Sequence, residues 1–173
     1  GRTDPHKAPL EFCALDVTDE NQVELFFGGL RGPLEGLVYA AGATFPKRPI
    51  AEFNTSVFDQ VMQTNAIGLL LCLKYGYHKL ASSQGRVVVV NSIASRTSSK
   101  YSGIEYTMSK SALSGLVKQL ALDFAQDNVL INSVFPSMTA TPMLVENVEQ
   151  SKLEEMVNII PLGRISNPLE VSK

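Results

Sequence analysis

The chain has 173 residues, of which 45% are hydrophobic and 18% charged, and its formal net charge is −2. This length and composition are typical of one globular domain, so we expect a single domain over residues 1–173. The slightly acidic balance provides no basic surface for nucleic acid or an anionic membrane, and no apolar run reaches the roughly 18 residues of a membrane span. These features favour a protein whose partner is a small molecule.

The two cysteines provide a second exclusion. Cys13 and Cys72 lie in apolar runs and lack the spacing of a metal site or of a disulfide framework. We therefore expect no metal and two buried free thiols, as in a reducing compartment. The sequence begins with glycine and shows no signal peptide, which favours a cytoplasmic protein.

Short apolar runs alternate with helical patterns along the chain. Strands are predicted at 12–15, 37–39, 86–91 and 129–134, and the four consecutive valines of the third run are typical of a strand that is buried on both faces. Helices are predicted from an N-cap at Thr18 to Leu30, over 55–80, over 104–125, after a capping box at Ser151–Glu154, and from Asn167-Pro168 onward. This alternation indicates βαβ units and an α/β fold with a parallel sheet.

Four residues lie at or shortly after the carboxyl ends of the predicted strands. Right-handed crossovers bring the carboxyl ends of parallel strands to one edge of the sheet, and open α/β sheets bind ligands at that edge. We therefore expect the following residues to lie along a common binding edge: Asp16, Gly42, Ser92 and Pro136.

Tyr106 and Lys110 are four residues apart on the third predicted helix, so they share one helical face. An ammonium about 4 Å from a phenol favours the phenolate by about 4 kcal/mol at an effective dielectric of about 20, or roughly three pKa units at most. Such a shift would suit the phenol to acid–base catalysis. A Tyr-x-x-x-Lys pair alone is usually a solvated helix face, but this helix begins just after Ser92.

Asn65 interrupts the apolar stripe of the second predicted helix. The simplest explanation from the residues alone is a side chain that hydrogen bonds to its own backbone.

Several motifs, taken together and in this order, resemble the short-chain dehydrogenase/reductase family. They extend through nearly the whole chain and are Leu15-Asp16-Val17-Thr18, Ala40-Ala41-Gly42, Asn65, Asn91-Ser92, Tyr106-x-x-x-Lys110, Asn132-x-x-x-Pro136, Thr141-x-Met143 and Pro161-Leu162-Gly163-Arg164. The resemblance implies a Rossmann-like, doubly wound parallel sheet. Family members also carry a Gly-rich phosphate turn near the start of the fold and a further strand at its end, and we expect both to be missing from this sequence.

The resemblance implies an NAD(P)-dependent oxidoreductase that interconverts a ketone and a secondary alcohol. Tyr106 would exchange a proton with the substrate oxygen, and Ser92 would bind that oxygen. Lys110 would lower the pKa of Tyr106 and hold the nicotinamide ribose. Asn65 would kink its helix and hold a water behind Lys110, which replaces the simpler interpretation above.

The resemblance also implies a cofactor site spread over three loops. Asp16 and Val17 would border the adenine. The adenosine ribose would lie against Ala40, Ala41 and Gly42. The nicotinamide amide and the phosphates would contact Pro136, Thr139 and Thr141.

Three positions depart from the family pattern. Tyr39-Ala40 replaces the usual pair of asparagines, Ser137 follows Pro136 where glycine is common, and the spacing from Ser92 to Tyr106 is one residue longer than usual. The third departure leaves Ser95 as an alternative to Ser92 for the substrate-binding hydroxyl.

Cofactor choice and assembly follow from other positions. The resemblance places Gly1 and Arg2 where the family's second strand ends, a point at which an acidic residue would bind the ribose diol of NAD. With glycine there and Arg2 beside it to accommodate a 2′-phosphate, we expect NADP, with NAD as the alternative. The outer faces of 66–73 and 111–122 predict a homo-oligomer, either a dimer or a tetramer. For the activity, the resemblance implies a 3-oxoacyl thioester reductase first, because this activity is the commonest in such a family; the alternatives are a sugar or polyol dehydrogenase and a non-catalytic family member or fragment.

Overall fold

The computed structural model describes residues 11–145 and 148–173. Its strands are β1 (Gly36–Tyr39), β2 (Arg86–Val90) and β3 (Leu130–Val134). Its α-helices are α1 (Glu20–Gly29), α2 (Thr55–Met62), α3 (Gly68–Ser83), α4 (Ile104–Asp123), α5 (Pro142–Val145), α6 (Gln150–Ile159) and α7 (Pro168–Val171). Single 3₁₀ turns occupy Ile50–Glu52, Ile93–Ser95 and Phe124–Asp127, and a π-helical turn occupies Gln63–Ile67.

The three strands form a parallel sheet in the order β1-β2-β3, with Tyr39 beside Val89 and Val89 beside Ser133. Helices connect successive strands, which confirms the predicted α/β fold with a parallel sheet. Because both connections advance the sheet in the same direction, crossovers of one hand place their helices on the same face. This arrangement is one half of a doubly wound sheet.

The apolar core lies between that face of the sheet and helices α1, α3 and α4. Val87 and Val89 of β2 are 1% and 0% exposed. The expected burial of β2 on both faces is wrong, because Val88 and Val90 are only half-buried. On the same open face Val38 of β1 is 67% exposed. Helices α1, α3 and α4 pack against the opposite face of the sheet.

The predicted strand at 12–15 is also wrong. Residues 11–16 have no regular structure, because no described strand lies beside them to complete a hydrogen-bonded ladder. Cys13 is consequently exposed, and only Cys72 is a buried thiol. The N-cap of α1 is Asp19 instead of Thr18; its carboxylate accepts from Gln22 N at 3.1 Å.

The long second helix is present, but a π-helical turn divides it. Asn54 caps α2, and α3 ends at Gln84 in the left-handed conformation with φ 53°. At the turn, Gly68 N donates to Gln63 O, five residues earlier, where an α-helix would use the residue four earlier. The helix is therefore irregular at Asn65, the position at which the resemblance implies a kink.

The helix after β2 begins at Ile104, as predicted, and buries one face against the sheet. Its buried residues are Glu105, Ser109, Lys110, Leu113 and Val117.

The predicted capping box at Ser151–Glu154 is wrong, since α6 already begins at Gln150 and its N-cap, Glu149, makes no side-chain cap. A capping box occurs instead at α7, where Asn167 and Glu170 satisfy each other's backbone N–H groups. The predicted helix start at Asn167-Pro168 is confirmed. None of the described helices is long and apolar enough to cross a membrane.

Candidate active site

Lys110 lies on α4 with its side chain directed to the carboxyl end of β2. Its ammonium Nζ donates to Val90 O, the carbonyl of the last strand residue, at 2.9 Å. The residue is 5% exposed, and the four described ion pairs do not include it. Burial without a counter-charge penalises the cation, and it lowers the pKa of Lys110 to about 8. The site therefore holds an ammonium that is easily deprotonated.

Tyr106 lies one turn earlier on α4, and Lys110 Nζ is 5.7 Å from the centroid of its ring. Burial raises the pKa of Tyr106, and a hydrogen bond from Ser92 partly opposes this shift. The prediction that Lys110 lowers the pKa of Tyr106 is therefore wrong for this structure. Desolvation of the phenolate has the larger effect and raises the pKa. At neutral pH the side chain is a neutral phenol, ready to donate a proton.

Ser92 follows β2 and begins the 3₁₀ turn that leads away from the sheet. Its backbone N–H donates to Asn91 Oδ1 at 2.8 Å, and its hydroxyl accepts from Ala94 N at 3.2 Å. Because the hydroxyl accepts this bond, its own proton remains for an oxygen at the site, such as that of Tyr106. The Ser95 hydroxyl instead donates to Ser92 O at 2.7 Å and accepts from Ser114 Oγ at 3.1 Å. Of the two candidates, Ser92 is the one whose hydroxyl acts on the pKa of Tyr106.

Asn65 projects from the π turn and joins two other segments of the site. Its amide nitrogen donates to Ala43 O at 3.0 Å and to Ser109 Oγ at 2.9 Å, and its oxygen accepts from Ala43 N at 2.7 Å. The side chain is fully buried. It therefore bonds across the fold and not to its own backbone, which overturns the simpler sequence interpretation.

The loop after β1 approaches the ammonium closely. A Cβ added to Gly42 would lie 3.8 Å from Lys110 Nζ and 3.7 Å from Asn65 Oδ1. Of the three N–H bonds of Lys110, one is used by Val90 O. Bare backbone beside a cation with remaining donors fits the polyhydroxyl edge of a ribose.

Asp16 lines an open cleft of about 520 Å³ together with Ala43, Gln63 and Thr64. Its Oδ1 accepts from Thr18 N at 2.9 Å and from Thr18 Oγ1 at 2.8 Å, which fixes the turn before α1. Val17 does not share this cleft; its side chain packs toward Gly68. Ala40 is exposed and Ala41 half-buried beyond the end of β1.

The remaining predicted cofactor residues lie on the loop after β3. Pro136 O accepts from Ile93 N at 3.1 Å, which joins this loop to the turn that follows Ser92. Thr139 Oγ1 donates to Ser137 O at 3.1 Å, and Thr141 N donates to Thr139 O at 2.8 Å. These described contacts hold the loop and do not reach Tyr106. Arg2 lies outside the described residues.

Sequence reasoning missed two groups that hold the site together. Ser109 is fully buried; it accepts from Asn65 and donates to Tyr106 O at 2.8 Å. The backbone of Ala43 exchanges two hydrogen bonds with Asn65. A small polar residue on the buried face of a helix was the available signal for Ser109, whereas nothing in the sequence identifies a backbone partner.

Comparison with known proteins agrees with this arrangement. A family model described as enoyl-(acyl carrier protein) reductase matches residues 3–173, and curated relatives are named oxidoreductases. The chain belongs to the short-chain dehydrogenase/reductase family. It is 30% identical over 165 residues to an uncharacterized oxidoreductase of Escherichia coli, covering 91% of this chain and 67% of that protein. It is 34% identical over 164 residues to a chloroplastic tropinone reductase homologue of Arabidopsis thaliana, covering 91% of this chain and 50% of the relative.

Among solved structures of this family, ElxO with NADP bound superimposes with a TM-score of 0.85 at 30% identity, over 94% of this chain and 67% of that one. The chain thus spans between half and two thirds of the length of these short-chain dehydrogenase/reductase relatives.

Proposed function

We propose that the protein is an NAD(P)-dependent oxidoreductase that interconverts a ketone and a secondary alcohol. The observation that supports this most is the convergence of Ser92, Tyr106 and Lys110 at the carboxyl end of β2. A neutral phenol and a free hydroxyl proton meet there, close to a buried ammonium. Two hydroxyl groups that can both donate to the same substrate oxygen suit a reaction in which negative charge develops on that oxygen.

In the direction of reduction, Tyr106 would donate its proton to the substrate oxygen while Ser92 hydrogen bonds to the same oxygen. The phenol is protonated throughout the neutral range and so has a proton to donate, although its raised pKa makes it a weaker acid than a free tyrosine. Lys110 would hold the ribose of the cofactor with the donors that Val90 O does not use. The bound nicotinamide would supply or accept the hydride. Asn65 would hold Ser109, and through it the turn of α4 that carries Tyr106.

The test is a panel of ketones and secondary alcohols assayed with both nicotinamide cofactors. The 3-oxoacyl thioesters are the first class to test, and sugars and polyols are the second. Ser92→Ala and Ser95→Ala form a matched pair, since each removes one hydroxyl from the same turn. We expect Ser92→Ala to lower turnover by about 10²-fold or more and Ser95→Ala to change it little. Absence of turnover across the panel would instead favour a non-catalytic family member.

We propose NADP as the preferred cofactor. ElxO, a solved relative at 30% identity, has NADP bound. The chemistry of a guanidinium suits a 2′-phosphate, which is the reason for assigning this preference to Arg2. Arg2→Ala should lower the ratio of catalytic efficiencies with NADPH and NADH, and an unchanged ratio would refute the assignment.

We also propose a homo-oligomer, a dimer or tetramer, in a cytoplasmic location. The outward faces of α3 and α4 carry exposed apolar side chains: Leu70, Met108 and Leu122 are 39%, 49% and 74% exposed. Such faces are covered when two copies pair about a two-fold axis. Light scattering on the full-length protein would refute this assembly by giving a monomer mass. Fluorescence imaging of the tagged protein in its native cell would test the location, and exclusion from the cytoplasm would refute it.

A further inference from the structure

Tyr39 is the last residue of β1, and it is 4% exposed in the apolar core. Its hydroxyl donates to the backbone carbonyl of Thr64, 25 residues later in the chain. Burial raises the pKa of Tyr39, so the hydroxyl keeps its proton and stays a donor over the working range of pH. A tyrosine at the end of a strand therefore bonds to the backbone of a helix.

Thr64 O belongs to the π turn. In a regular α-helix the N–H of Gly68 would donate to this carbonyl, but Gly68 N donates to Gln63 O instead. The π turn therefore leaves Thr64 O without the N–H of Gly68, and the Tyr39 hydroxyl donates to this carbonyl instead. π turns of this kind are frequent at functional sites.

Gly68 leaves the space that this contact requires. A Cβ at position 68 would collide with the hydroxyl oxygen of Tyr39 and would come within 2.9 Å of Val17 Cγ2. The tyrosine and the glycine are therefore sterically matched.

Thr64 directly precedes Asn65, the residue that joins the π turn to Ala43 and Ser109. We propose that Tyr39 is a positioning residue that fixes the π turn in the register at which Asn65 reaches both partners. Only the predicted effect on turnover rests on the proposed function. The effect on the position of Asn65 can be tested whether or not the protein is an oxidoreductase. Ser109 lies between Tyr106 and Lys110 on α4, so a shift of Asn65 would reach the proposed proton donor.

The test is Tyr39→Phe, which removes one oxygen and keeps the ring in the core. Tyr77→Phe is the matched control: Tyr77 is a half-buried tyrosine of α3 whose hydroxyl donates to Asp127 Oδ2 at 2.5 Å, away from the site. Hydrogen–deuterium exchange measures the amide of Ala43, which donates to Asn65, and the amides of 64–68. Steady-state kinetics with the best substrate of the panel measures kcat and KM separately.

We expect Tyr39→Phe to speed amide exchange at Ala43 and at 64–68. We also expect kcat to fall about 10-fold, with an unchanged KM for the cofactor. This fall in kcat is smaller than the ~10²-fold that a 1 Å misplacement can cost. Tyr77→Phe should change neither quantity. Unchanged exchange at Ala43, or a kcat equal to that of Tyr77→Phe in an active enzyme, would overturn the proposal. If the wild-type protein turns over no substrate, the proposed function fails, and the exchange at Ala43 alone decides the role of Tyr39.

Discussion

The two halves of the buried face of α4 differ in chemistry but not in burial. Ser109 and Lys110, in the first half, are 0% and 5% exposed, and Leu113 and Val117, in the second half, are 0% and 8% exposed. The polar half meets the carboxyl end of β2, where Lys110 bonds to Val90 O, and the apolar half packs in the core beneath the sheet. Burial alone therefore does not separate a functional residue from a structural one on this helix. The difference is that burying the polar and charged groups lowers the stability of the fold, whereas burying the apolar side chains raises it.

Substituting Tyr106 should produce the largest effect on the polar half. Tyr106→Phe removes the proposed proton donor and keeps the ring, so turnover should fall by roughly 10²–10⁴-fold, as is typical when acid–base catalysis is lost. Cofactor affinity and the unfolding midpoint should stay close to wild type. Steady-state kinetics, cofactor titration and urea denaturation measure the three quantities. Near-normal turnover on the best substrate would mean that the proton comes from another group.

Substituting Leu113 should produce the opposite pattern on the apolar half. Leu113→Ala leaves a cavity in a fully buried position and should lower the free energy of unfolding by about 2–5 kcal/mol. The kcat of the molecules that remain folded should change little, because the Leu113 side chain has no group that can exchange a proton or hydrogen bond to substrate or cofactor. Urea denaturation measures the loss. A kcat that falls as far as in Tyr106→Phe would show that the two halves are not separable.

The smallest expected effect concerns Lys110, a residue of the polar half whose titration should make the stability of the fold depend on pH. Its folded pKa of about 8 lies below its ordinary value of 10.5, so the unfolded chain binds more protons between these values and wild-type stability should rise as pH increases through that window. Lys110→Met removes this titration but also leaves Val90 O without its donor. The variant should be more stable than wild type at pH 7 by about 2 kcal/mol, although the loss of ribose contacts weakens cofactor binding.

Urea denaturation of both proteins from pH 7 to 10.5 measures this difference. It should shrink as pH rises from about 8 to 10.5, because the folded lysine is then neutral and the free energy needed to remove the proton that the unfolded chain still binds falls toward zero. The other titrating groups are common to both proteins and cancel. A difference that stays constant with pH would mean that the Lys110 ammonium is not penalised by burial.

Much of the fold could be predicted because its signals are local. The valines of β2, the 3.6-residue periodicity of α4 and the Asn167-Pro168 start of α7 each specify an element through nearby residues. The segment at 12–15 has the same apolar character and forms no strand, since a strand depends on a neighbour that the pattern cannot supply. The capping box was misplaced for a related reason. The sequence Ser151–Glu154 matches the capping-box pattern, but the N-cap of α6 is Glu149, two residues before Ser151.

For the site, the sequence provides the residues that carry chemistry but not their electrostatics. The spacing of Tyr106 and Lys110 predicts that they share a face, and they do. It does not predict that Lys110 would be buried against Val90 O, or that desolvation would raise the pKa of Tyr106. These depend on the depth of the site, which arises from long-range packing. The partners of Asn65 were hidden for the same reason, as one of them is the backbone of Ala43.

The steric match between Tyr39 and Gly68 restricts how this sequence can drift over evolutionary time. Alanine is the smallest change available to a glycine in a helix, and helix propensity favours it by about 1 kcal/mol. At position 68 alanine is sterically excluded while tyrosine occupies position 39, because the added Cβ would clash with the hydroxyl oxygen of Tyr39. The two positions should therefore covary in related sequences. A residue larger than glycine at 68 should accompany a residue at 39 that is shorter than tyrosine, together with a side chain at 17 that is smaller than valine or shifted, since Val17 Cγ2 lies within 2.9 Å of the same position.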